Sequence, residues 1–453
     1  MSGRLDKEPM GMSKETEFKK FFKFTSLVTD VFPSRGAMVL DLAVRGVLGN
    51  ILLFKFVEWQ ARRHSKASQK PNRILVAGDL NIGDAIIAQA SVAAFKEIFP
   101  RAEIDCVVKK SAADLIEGNP LISELYPLYE GAPYPNESDL AGLSQIAAGG
   151  KYDLIFNMSP MIDDGTFGGR NVLNYSVLAA GLIRNEAKQG GITNGIVYQS
   201  HHFLGEIFRD HLPSGFGRNF TGASIYLSDS AIEQAGSFLM SAGISRLMPI
   251  VMINPDASAR FTRMPFEFQR ELIKRLATMG CSILLGAGHV EKYIEHELMY
   301  SLEPEFRSRV TVVPPSTSLD VYAALVDSSD VYISGDTGPL HIAAARKFSR
   351  SSGEPLRNRT GVISVFGGTP SRIYGYDSKA PGFFPANQDV PSRTFVGRNQ
   401  CRNITCINKM AKTCKEVRCF NSLTPGEIAL EAASHIERAR REIRREKLRI
   451  LVS

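Results

Sequence analysis

Apolar runs alternate with segments of helical period from Arg73 to Phe366. In the first part of this stretch the pattern predicts strands over 73–77, 103–108 and 154–157, with a helix over 84–98. Short apolar strands that alternate with helices indicate right-handed βαβ units and a parallel sheet. The Gly-rich stretch 165–226 has little period and is expected to form loops with a few helices.

A second series of the same kind starts at Ile250. It predicts five strands, four helices and a second sheet: strands over 250–253, 282–285, 310–313, 330–334 and 361–366, and helices over 266–279, 290–301, 318–326 and 339–345. The expected fold is therefore α/β, with two Rossmann-like doubly wound domains facing a cleft. Ligands of such sheets bind outside the carboxyl ends of the strands.

The domain boundaries follow from these two series. We expect an N-terminal helical extension over 1–72, a Rossmann-like domain over 73–245, a second one over 246–435 that includes the cysteine-rich segment 401–419, and a basic C-terminal helix over 436–453. The boundary between the two Rossmann-like domains falls in the Ser-Ala-Gly-Ile-Ser-Arg-Leu segment, 241–247.

The most apolar segment is Ala37–Val57, which Asp41, Arg45 and Lys55 interrupt. It is too charged to span a bilayer, which takes about 20 apolar residues. One face of the predicted helix is apolar and a basic run follows it, as in helices that lie on a membrane surface. A helix packed on the first domain explains the pattern equally well, so both interpretations stay open.

The net charge of +7 is concentrated at the two ends of the 453-residue chain. Residues 1–73 carry a net charge of +7 and residues 438–449 carry +5, which leaves −5 for everything between. Basic ends suit an anionic membrane surface, or they are solvated helix faces. A nucleic-acid-binding role is the least favoured, because only one short run, 18–24, interleaves aromatic and basic residues as base stacking needs.

Composition excludes several classes of protein. Hydrophobic residues make up 44% and charged residues 22%, which excludes a disordered chain. Six cysteines are too few for a secreted disulfide scaffold, and no basic start is followed by an apolar core as in a signal peptide. We therefore expect a cytoplasmic protein, with peripheral attachment to the inner face of the membrane as the accompanying hypothesis.

The end of the first strand carries the first candidate for chemistry. Gly78 and Gly83 permit a tight turn, and Asp84 lies at the entry to the next helix. A carboxylate there is stabilised by the helix dipole, so a simple capping role is one interpretation. The other is a general base directed into the cleft, where it takes a proton from an acceptor hydroxyl.

The second domain contributes Ser334-Gly335-Asp336-Thr337-Gly338-Pro339-Leu340-His341. A strand ends there, two glycines open the backbone, and the proline suits the first turn of a helix. Such a turn can present free backbone N–H groups to a phosphate.

These turns resemble those of a known family. Ile82-Gly83-Asp84, Asn254-Pro255, the Asp336-Thr337-Gly338-Pro339-x-His341 element and Phe366-Gly367-Gly368-Thr369-Pro370 are similar to the motifs of glycosyltransferase family 9, which includes the ADP-heptose:lipopolysaccharide heptosyltransferases. The resemblance covers residues 73–435, and its most specific part is the Asp-Thr-Gly-Pro-x-His element with the downstream Thr-Pro.

The resemblance implies a GT-B fold and inverting, metal-independent transfer of a sugar from a nucleotide-diphosphate donor. It makes Asp84 the general base. It also implies a set of donor-binding residues: Asp336, Thr337, Gly338 and His341 around the diphosphate and sugar, Glu291 at the ribose and Thr317 near the base.

Three departures from the family pattern affect these expectations. Thr262 and Met264 replace the usual Lys and Trp, so that Arg260 or Arg263 must supply the cation. Gly78-Asp79 replaces a basic residue often found after the first strand. The polar stretch 346–360 is expected to form an inserted loop where the family has a short turn.

Four cysteines, Cys401, Cys406, Cys414 and Cys419, are spaced as C-x4-C-x7-C-x4-C. Four thiolates within 19 residues can hold structural zinc or iron, and four free thiols are the alternative. Cys106 and Cys281 are expected to be core residues. The adjacent His201 and His202 have no carboxylate cluster nearby and are expected at the polar surface.

The sequence thus predicts a glycosyltransferase that needs no cofactor for catalysis. It would move a sugar, with heptose as the first candidate, from a nucleotide donor such as ADP-heptose to a hydroxyl of lipopolysaccharide or another cell-envelope glycan. The alternatives are a transferase with a different sugar and a catalytically silent nucleotide-sugar-binding protein, which Thr262 and Asp79 make plausible.

Overall fold

A computed structural model describes most of the chain beyond residue 69. The described residues are 70–78, 81–129, 136–158, 162, 164–168, 171–174, 201, 204–205, 207–218, 220, 222–245, 247–257, 260–286, 294–369, 371–380, 383, 385–397, 414 and 417–452. The predicted helix over 37–57 lies outside them, as do Glu291, Cys401, Cys406 and His202.

The first sheet is five-stranded and parallel, in the order β3-β2-β1-β4-β5. Its strands are β1 (Arg73–Ala77), β2 (Glu103–Lys109), β3 (Glu124–Tyr129), β4 (Leu154–Asn157) and β5 (Val172–Asn174). Three helices accompany it: α1 (Ile82–Ile98), α2 (Lys110–Ile116) and α3 (Glu137–Gly149). The strand order reverses between β1 and β4, so the carboxyl end of β1 opens on the crevice where such sheets bind ligands.

The second sheet is six-stranded and parallel, in the order β13-β12-β10-β7-β8-β9. Its strands are β7 (Ile250–Asn254), β8 (Ser282–Leu285), β9 (Val310–Val312), β10 (Val331–Ser334), β12 (Gly361–Phe366) and β13 (Arg393–Val396). The associated helices are α5 (Phe266–Thr278), α6 (Ile294–Tyr300), α7 (Pro304–Arg307), α8 (Leu319–Ser328), α9 (Gly338–Ala344) and α10 (Ser371–Tyr374). The four inner strands, β7, β8, β10 and β12, are wholly buried, which explains their largely apolar sequences.

The predicted polar loop over 346–360 is wrong, because its first residues form a strand. β11 (Arg346–Ser349) pairs in parallel with β6 (Ser224–Leu227), and together they make a two-stranded sheet. Lys347 is fully buried in this strand, and its ammonium donates to the carbonyls of Ala343 and Ala345 at the end of α9. The polar sequence was misleading at Lys347 because this side chain is buried and its ammonium is hydrogen-bonded within the protein.

Asn358 closes the same segment. It is fully buried, its side-chain oxygen accepts from the Lys347 amide at 2.8 Å, and its side-chain nitrogen donates to the Lys347 carbonyl at 2.8 Å. The Asn358 backbone has φ of 48°, in the left-handed region where asparagine is better tolerated than most residues. The Asn358 side chain thus helps to satisfy the outer edge of β11, where the Leu356 amide also donates to the Lys347 carbonyl.

Arg350, just after β11, joins the segment to the first sheet. Its guanidinium lies 2.8 Å from Glu117 beyond α2 and 3.5 Å from Asp320 of α8. A Cβ at Gly118 would lie 2.3 Å from Arg350 Cγ, so that the glycine makes room for the arginine stem. The 346–360 segment thus contacts both halves of the molecule.

The core around β6 includes residues from both sides of the predicted boundary at 245. β6 and helix α4 (Asp229–Ser241) contribute Ile225, Leu227 and Leu239 to a cluster that also contains Met252 and Val326. The boundary itself stays a prediction, but β6 and α4 pack against elements that follow it.

The C-terminal helix α11 (Pro425–Val452) starts eleven residues before the predicted helix at 436. Its first half buries Ile428, Ala432 and Ile436 in the core of the second sheet. The basic stretch is therefore the continuation of a packed helix. Among the residues that the structure describes, we find no helix with the length and hydropathy needed to cross a bilayer.

Candidate functional site

Two turns, one from each sheet, touch at their backbones. The first turn of α1 follows β1, and the first turn of α9 follows β10. A Cβ at Gly338 would lie 3.3 Å from the amide nitrogen of Gly83, and a Cβ at Gly83 would lie 3.2 Å from Gly338 Cα. Both positions therefore need glycine so that the two helix starts can meet, which brings the predicted Asp84 and Asp336-Thr337-Gly338 motifs together.

The two aspartates at this contact differ in environment. Asp84 lies in the first turn of α1 and is exposed, whereas Asp336 is half-buried. The pKa of Asp336 is raised to about 6, chiefly by burial; the Thr369 hydroxyl opposes the rise and the Asp84 carboxylate adds to it. The carboxylates are thus close enough to repel each other, and Asp84 is the one that solvent and substrate can reach.

His341 lies at the same contact and is held by Tyr376. A Cβ at Gly83 would lie 2.8 Å from His341 Cδ2, and His341 Nδ1 is 2.6 Å from the Tyr376 hydroxyl. Burial lowers the pKa of His341 to about 4, so the ring is neutral, and burial followed by the Asp336 charge raises the pKa of Tyr376. The neutral ring and the protonated hydroxyl share one hydrogen bond, in which either the hydroxyl or Nδ1–H is the donor, depending on the tautomer.

Thr337 is fixed by side chains from the ends of two strands. Its hydroxyl oxygen lies 3.0 Å from Ser334 Oγ and accepts from Asn254 Nδ2 at 3.2 Å. Asn254 also donates to the Asp256 carbonyl at 2.8 Å, and its own Oδ1 is buried without a hydrogen bond. Asn254 of the Asn254-Pro255 motif thus holds the predicted donor turn in place by its hydrogen bond to Thr337.

The departures Thr262 and Met264 both have structural explanations. A Cβ at Gly335 would lie 2.2 Å from the Thr262 carbonyl oxygen, so these two backbones are in direct contact. Met264 is 2% exposed and fills the core of the second sheet, where it packs with residues such as Phe268. The Thr262 backbone therefore supports the Gly335 turn, and Met264 belongs to the core.

The two candidate arginines are distinguished by their partners. Arg263 Nη2 lies 2.7 Å from the buried carboxylate of Asp256, whose other contacts include the Ala257 amide. Arg260 is exposed on the short 3-10 helix Arg260–Thr262. Because the charge of Arg263 is balanced by Asp256, Arg260 is the better candidate for an incoming phosphate.

Thr317 is half-buried in the loop after β9, at the opposite edge of the sheet from β13, and its amide donates to the Pro314 carbonyl at 3.0 Å. This position is compatible with a nucleotide lying across the carboxyl ends of the strands. Glu291, the predicted ribose contact, falls in the undescribed residues 287–293.

The cysteine segment is only partly described. Cys414 is half-buried, and Cys419 is buried beside Gly367, where a Cβ on the glycine would lie 2.9 Å from Cys419 Sγ. Cys106 and Cys281 are buried core residues, as expected. Within the described part of the chain, no group of three His, Cys, Asp or Glu side chains is arranged around a common metal position. The metal site at Cys401, Cys406, Cys414 and Cys419 stays a prediction.

His201 is buried, which contradicts its predicted place at the polar surface. It is 3% exposed, its ring stacks between Phe216 and Phe220, and Nε2 lies 3.1 Å from the Glu97 carboxylate. The sequence did not reveal this because Glu97 is 104 residues away. His201 therefore packs against the two phenylalanine rings and links its own segment to Glu97 of α1.

Two residues beside the turns, Tyr376 and Lys109, were not predicted from the sequence. Tyr376 was missed because nothing local marks it as a partner for His341. Lys109 ends β2 and is 4% exposed, and its ammonium donates to Asn81 Oδ1 at 3.1 Å. Lys109 could have been recognised from the sequence, because a lysine that ends an apolar strand lies at the ligand-binding edge of a parallel sheet.

Comparisons with known proteins agree with this geometry. The sequence profile of glycosyltransferase family 9 (heptosyltransferase) matches residues 226–350. Lipopolysaccharide heptosyltransferase 3 of Escherichia coli K12 is 22% identical over 335 residues, which cover 70% of this chain and 90% of that protein.

Two solved structures share the architecture. ADP-heptose LPS heptosyltransferase II of E. coli superposes with a TM-score of 0.56 at 16% identity, covering 81% of this chain and 99% of that one. A family 9 glycosyltransferase from Veillonella parvula DSM 2008 gives a TM-score of 0.57 at 15% identity, covering 81% and 98%. At these identities the superpositions establish the fold.

The protein has the GT-B fold, as its two parallel sheets and these neighbours show. The family 9 match and the E. coli relative support glycosyltransferase activity. The resemblance to glycosyltransferase family 9 is confirmed, with the family profile matching residues 226–350.

Proposed function

We propose that this protein transfers a sugar, with heptose as the first candidate, from a nucleotide-diphosphate donor to a hydroxyl of lipopolysaccharide or another cell-envelope glycan, with inversion and without a catalytic metal. The observation that supports this most directly is the contact between the Gly83 and Gly338 turns, which puts the exposed Asp84 opposite the predicted donor turn. The E. coli relatives are heptosyltransferases, and one is named for ADP-heptose, which makes ADP-heptose the first donor to test.

In the proposed reaction Asp84 takes the proton of the acceptor hydroxyl. The oxygen attacks the anomeric carbon from the face opposite the diphosphate, so one C–O bond forms as the other breaks. The electron pair of the broken bond leaves with the diphosphate oxygen. A single displacement of this kind inverts the anomeric centre, and an exposed carboxylate next to the donor turn suits the base.

The negative charge on the leaving diphosphate must be stabilised by the second sheet's residues. α9 has only seven residues, so its dipole alone contributes little. Arg260 follows the Asn254-Pro255 motif closely in the sequence and carries a full positive charge. An arginine guanidinium can donate two parallel hydrogen bonds to diphosphate oxygens. We therefore assign the donor contact to Arg260 and give Arg263 the role of neutralising Asp256.

The test is turnover by the purified full-length chain. A panel of nucleotide sugars that includes ADP-heptose is incubated with and without acceptor glycan, and mass spectrometry records which donor is consumed. We expect one donor to be consumed, EDTA to leave the rate unchanged, and the product to have the inverted anomeric configuration. Donor binding without consumption would favour the silent binding protein, and loss of activity in EDTA would contradict the metal-independent reaction.

A further inference from the structure

The ring of His341 lies between the two turns of the candidate site. It is 5% exposed and one of its edges faces the start of α1, because a Cβ at Gly83 would lie 2.8 Å from His341 Cδ2 and 3.6 Å from Nε2. The histidine belongs to α9 and the glycine to α1, so the position of this ring limits how closely the two helix starts approach. Asp84, the proposed base, directly follows Gly83.

The orientation of the His341 ring is selected by Tyr376. Rotation about the bond from Cβ to an imidazole ring has broad, roughly two-fold minima, so packing alone does not decide which edge faces a neighbour. A half-turn of His341 would put Nδ1 in the place of Cδ2, against the Gly83 backbone. The hydrogen bond of 2.6 Å between Nδ1 and the Tyr376 hydroxyl opposes that half-turn. The two rings also pack edge to face, with their centres 5.7 Å apart.

The backbone of Tyr376 is fixed to two strands of the second sheet. Its carbonyl accepts from Thr394 Oγ1 of β13 at 2.8 Å, and the same hydroxyl lies 2.7 Å from Ser364 Oγ of β12. The next residue, Asp377, accepts from the Thr394 amide at 3.0 Å. Because these strands hold the tyrosine in place, its hydroxyl offers His341 a fixed partner.

We propose that Tyr376 is a positioning residue that acts through His341. It holds one edge of the imidazole ring against Gly83, and so it sets the position of Asp84 relative to the donor turn. This rests on the proposed role of Asp84 as the base. Without the Tyr376 hydroxyl the His341 ring can rotate, the start of α1 loses a fixed contact, and the carboxylate is displaced from the reacting oxygen.

The first experiment compares Tyr376→Phe with Tyr152→Phe in the full-length chain. Tyr152 is a matched control: it is 5% exposed, its hydroxyl donates to Asp105 at 2.7 Å, and it precedes β4 at the amino end of the first sheet. We expect Tyr376→Phe to lower kcat roughly ten- to a hundredfold, the effect of misplacing a reacting group by about 1 Å. The donor KM should stay unchanged, because Thr337 keeps its hydrogen bonds to the last residues of β7 and β10. Tyr152→Phe should keep the wild-type kcat. A normal kcat in Tyr376→Phe, or an equal loss in both variants, overturns the proposal.

A double-mutant cycle tests whether Tyr376 acts through His341. His341→Asn keeps a polar group near the place of Nδ1, which can still bond to Tyr376, but it removes the ring edge at Gly83. Tyr376→Phe added to His341→Asn should therefore lower kcat no further than His341→Asn alone, so the two losses are not additive. If the double variant loses activity by the product of the two factors, Tyr376 acts by another route and the proposal is wrong.

A measurement without turnover keeps this inference apart from the proposed function. The Ala85 amide donates to the Asn81 carbonyl at 2.8 Å, so its hydrogen exchange reports opening of the first turn of α1. Exchange should be roughly five- to tenfold faster in Tyr376→Phe and unchanged in Tyr152→Phe. If the wild type transfers no sugar but this exchange still accelerates, the proposed function fails and the positioning of α1 by Tyr376 stands. If transfer depends on Asp84 but neither kcat nor exchange responds to Tyr376→Phe, the positioning role fails and the proposed function stands.

Discussion

Asp84 and Asp336 are close to each other but differ in solvent exposure. Asp84 is exposed in the first turn of a 17-residue helix, and Asp336 is half-buried with a pKa raised to about 6. A base must reach its substrate and be ionised, and exposure favours both for Asp84. Asp336, held at the end of β10, is better suited to contact a donor that covers it.

Replacement of Asp84 by Asn should remove transfer while donor binding stays nearly intact. Loss of a general base typically costs roughly 10² to 10⁴ in rate. Rates are measured by mass spectrometry and donor affinity by calorimetry, with Asp114→Asn, an exposed carboxylate of α2, as the control. Turnover like that of the wild type would exclude Asp84 from the mechanism.

Arg260→Ala should weaken donor binding, whereas Arg263→Ala should lower the free energy of unfolding. Loss of Arg260 removes a charge-assisted hydrogen bond to the donor of about 1.5 to 3 kcal/mol, so donor affinity should fall roughly ten- to a hundredfold with the fold intact. Loss of Arg263 removes the ion-pair partner that lies 2.7 Å from the buried Asp256 carboxylate, which should cost about 3 to 5 kcal/mol of unfolding free energy. Urea titrations and donor binding on both variants check this. Normal donor binding by Arg260→Ala would contradict the assignment.

Acid should destabilise the protein through buried histidines. Burial lowers the pKa of His435 to about 4, below the ordinary value near 6.5 that an unfolded chain has. Between these values the unfolded chain binds a proton that the folded chain does not, so the unfolding free energy falls as pH drops from 6.5 to 4, by up to about 3 kcal/mol for one group.

The His435→Gln variant isolates this contribution. Urea titrations at pH 7 and pH 4 should show a smaller loss of unfolding free energy for the variant than for the wild type. His341, with a pKa near 4, contributes in the same direction, and Asp336, with its raised pKa, in the opposite one, but both are common to the two proteins. An equal pH dependence in both would show that His435 does not resist protonation in the fold.

The motif residues of the candidate site were predictable from the sequence because each lies in a turn directly after an apolar strand. Tyr376 and His201 were not, since their partners are distant in the chain and only the packed fold brings them together. The choice between Arg260 and Arg263 also depended on a buried partner, Asp256, that no spacing rule identifies.

At the scale of elements, β11 illustrates where pattern reading fails. Strands β1, β4, β8 and β12 were predicted at their observed bounds because continuous apolar runs mark a strand covered on both faces. β11 contains Arg346, Lys347 and Ser349, which read as a loop. The cost of burying these polar residues is compensated by hydrogen bonds from Lys347 and Asn358. A strand held in this way shows no alternation of apolar and polar residues in the sequence.

Asn358 should therefore be critical for the stability of this element. Asn358→Leu leaves the buried Lys347 amide and carbonyl without their side-chain partners and puts a branched residue at positive φ, and the expected loss is about 3 kcal/mol. Asn358→Gly loses only the hydrogen bonds, so it should cost less. Urea titrations of both variants give the comparison, and equal losses would contradict the backbone argument.

At the scale of the whole molecule, the basic N-terminal part can be tested by truncation. Removal of residues 1–69 should release the protein from anionic vesicles, since that part carries much of the positive charge. The cut must precede Asn72, whose amide donates to Asp153 and whose carbonyl accepts from Glu103. Sedimentation with vesicles and a thermal melt are the measurements. Aggregation or loss of a cooperative melt would show that the removed segment belongs to the core.

The pairing of β6 with β11 determines how this enzyme can be engineered. The two strands are more than 100 residues apart in the chain, yet each has the other as its sheet neighbour. A chimera that exchanges the donor half at residue 245 takes β6 from one parent and β11 from the other. Where the two strands do not fit, both edges are exposed, and unpaired edges recruit other chains. A graft that begins near Gly222 keeps β6, α4 and β11 from one parent, so recombination between relatives of different sugar specificity should yield soluble enzymes only when the junction precedes β6.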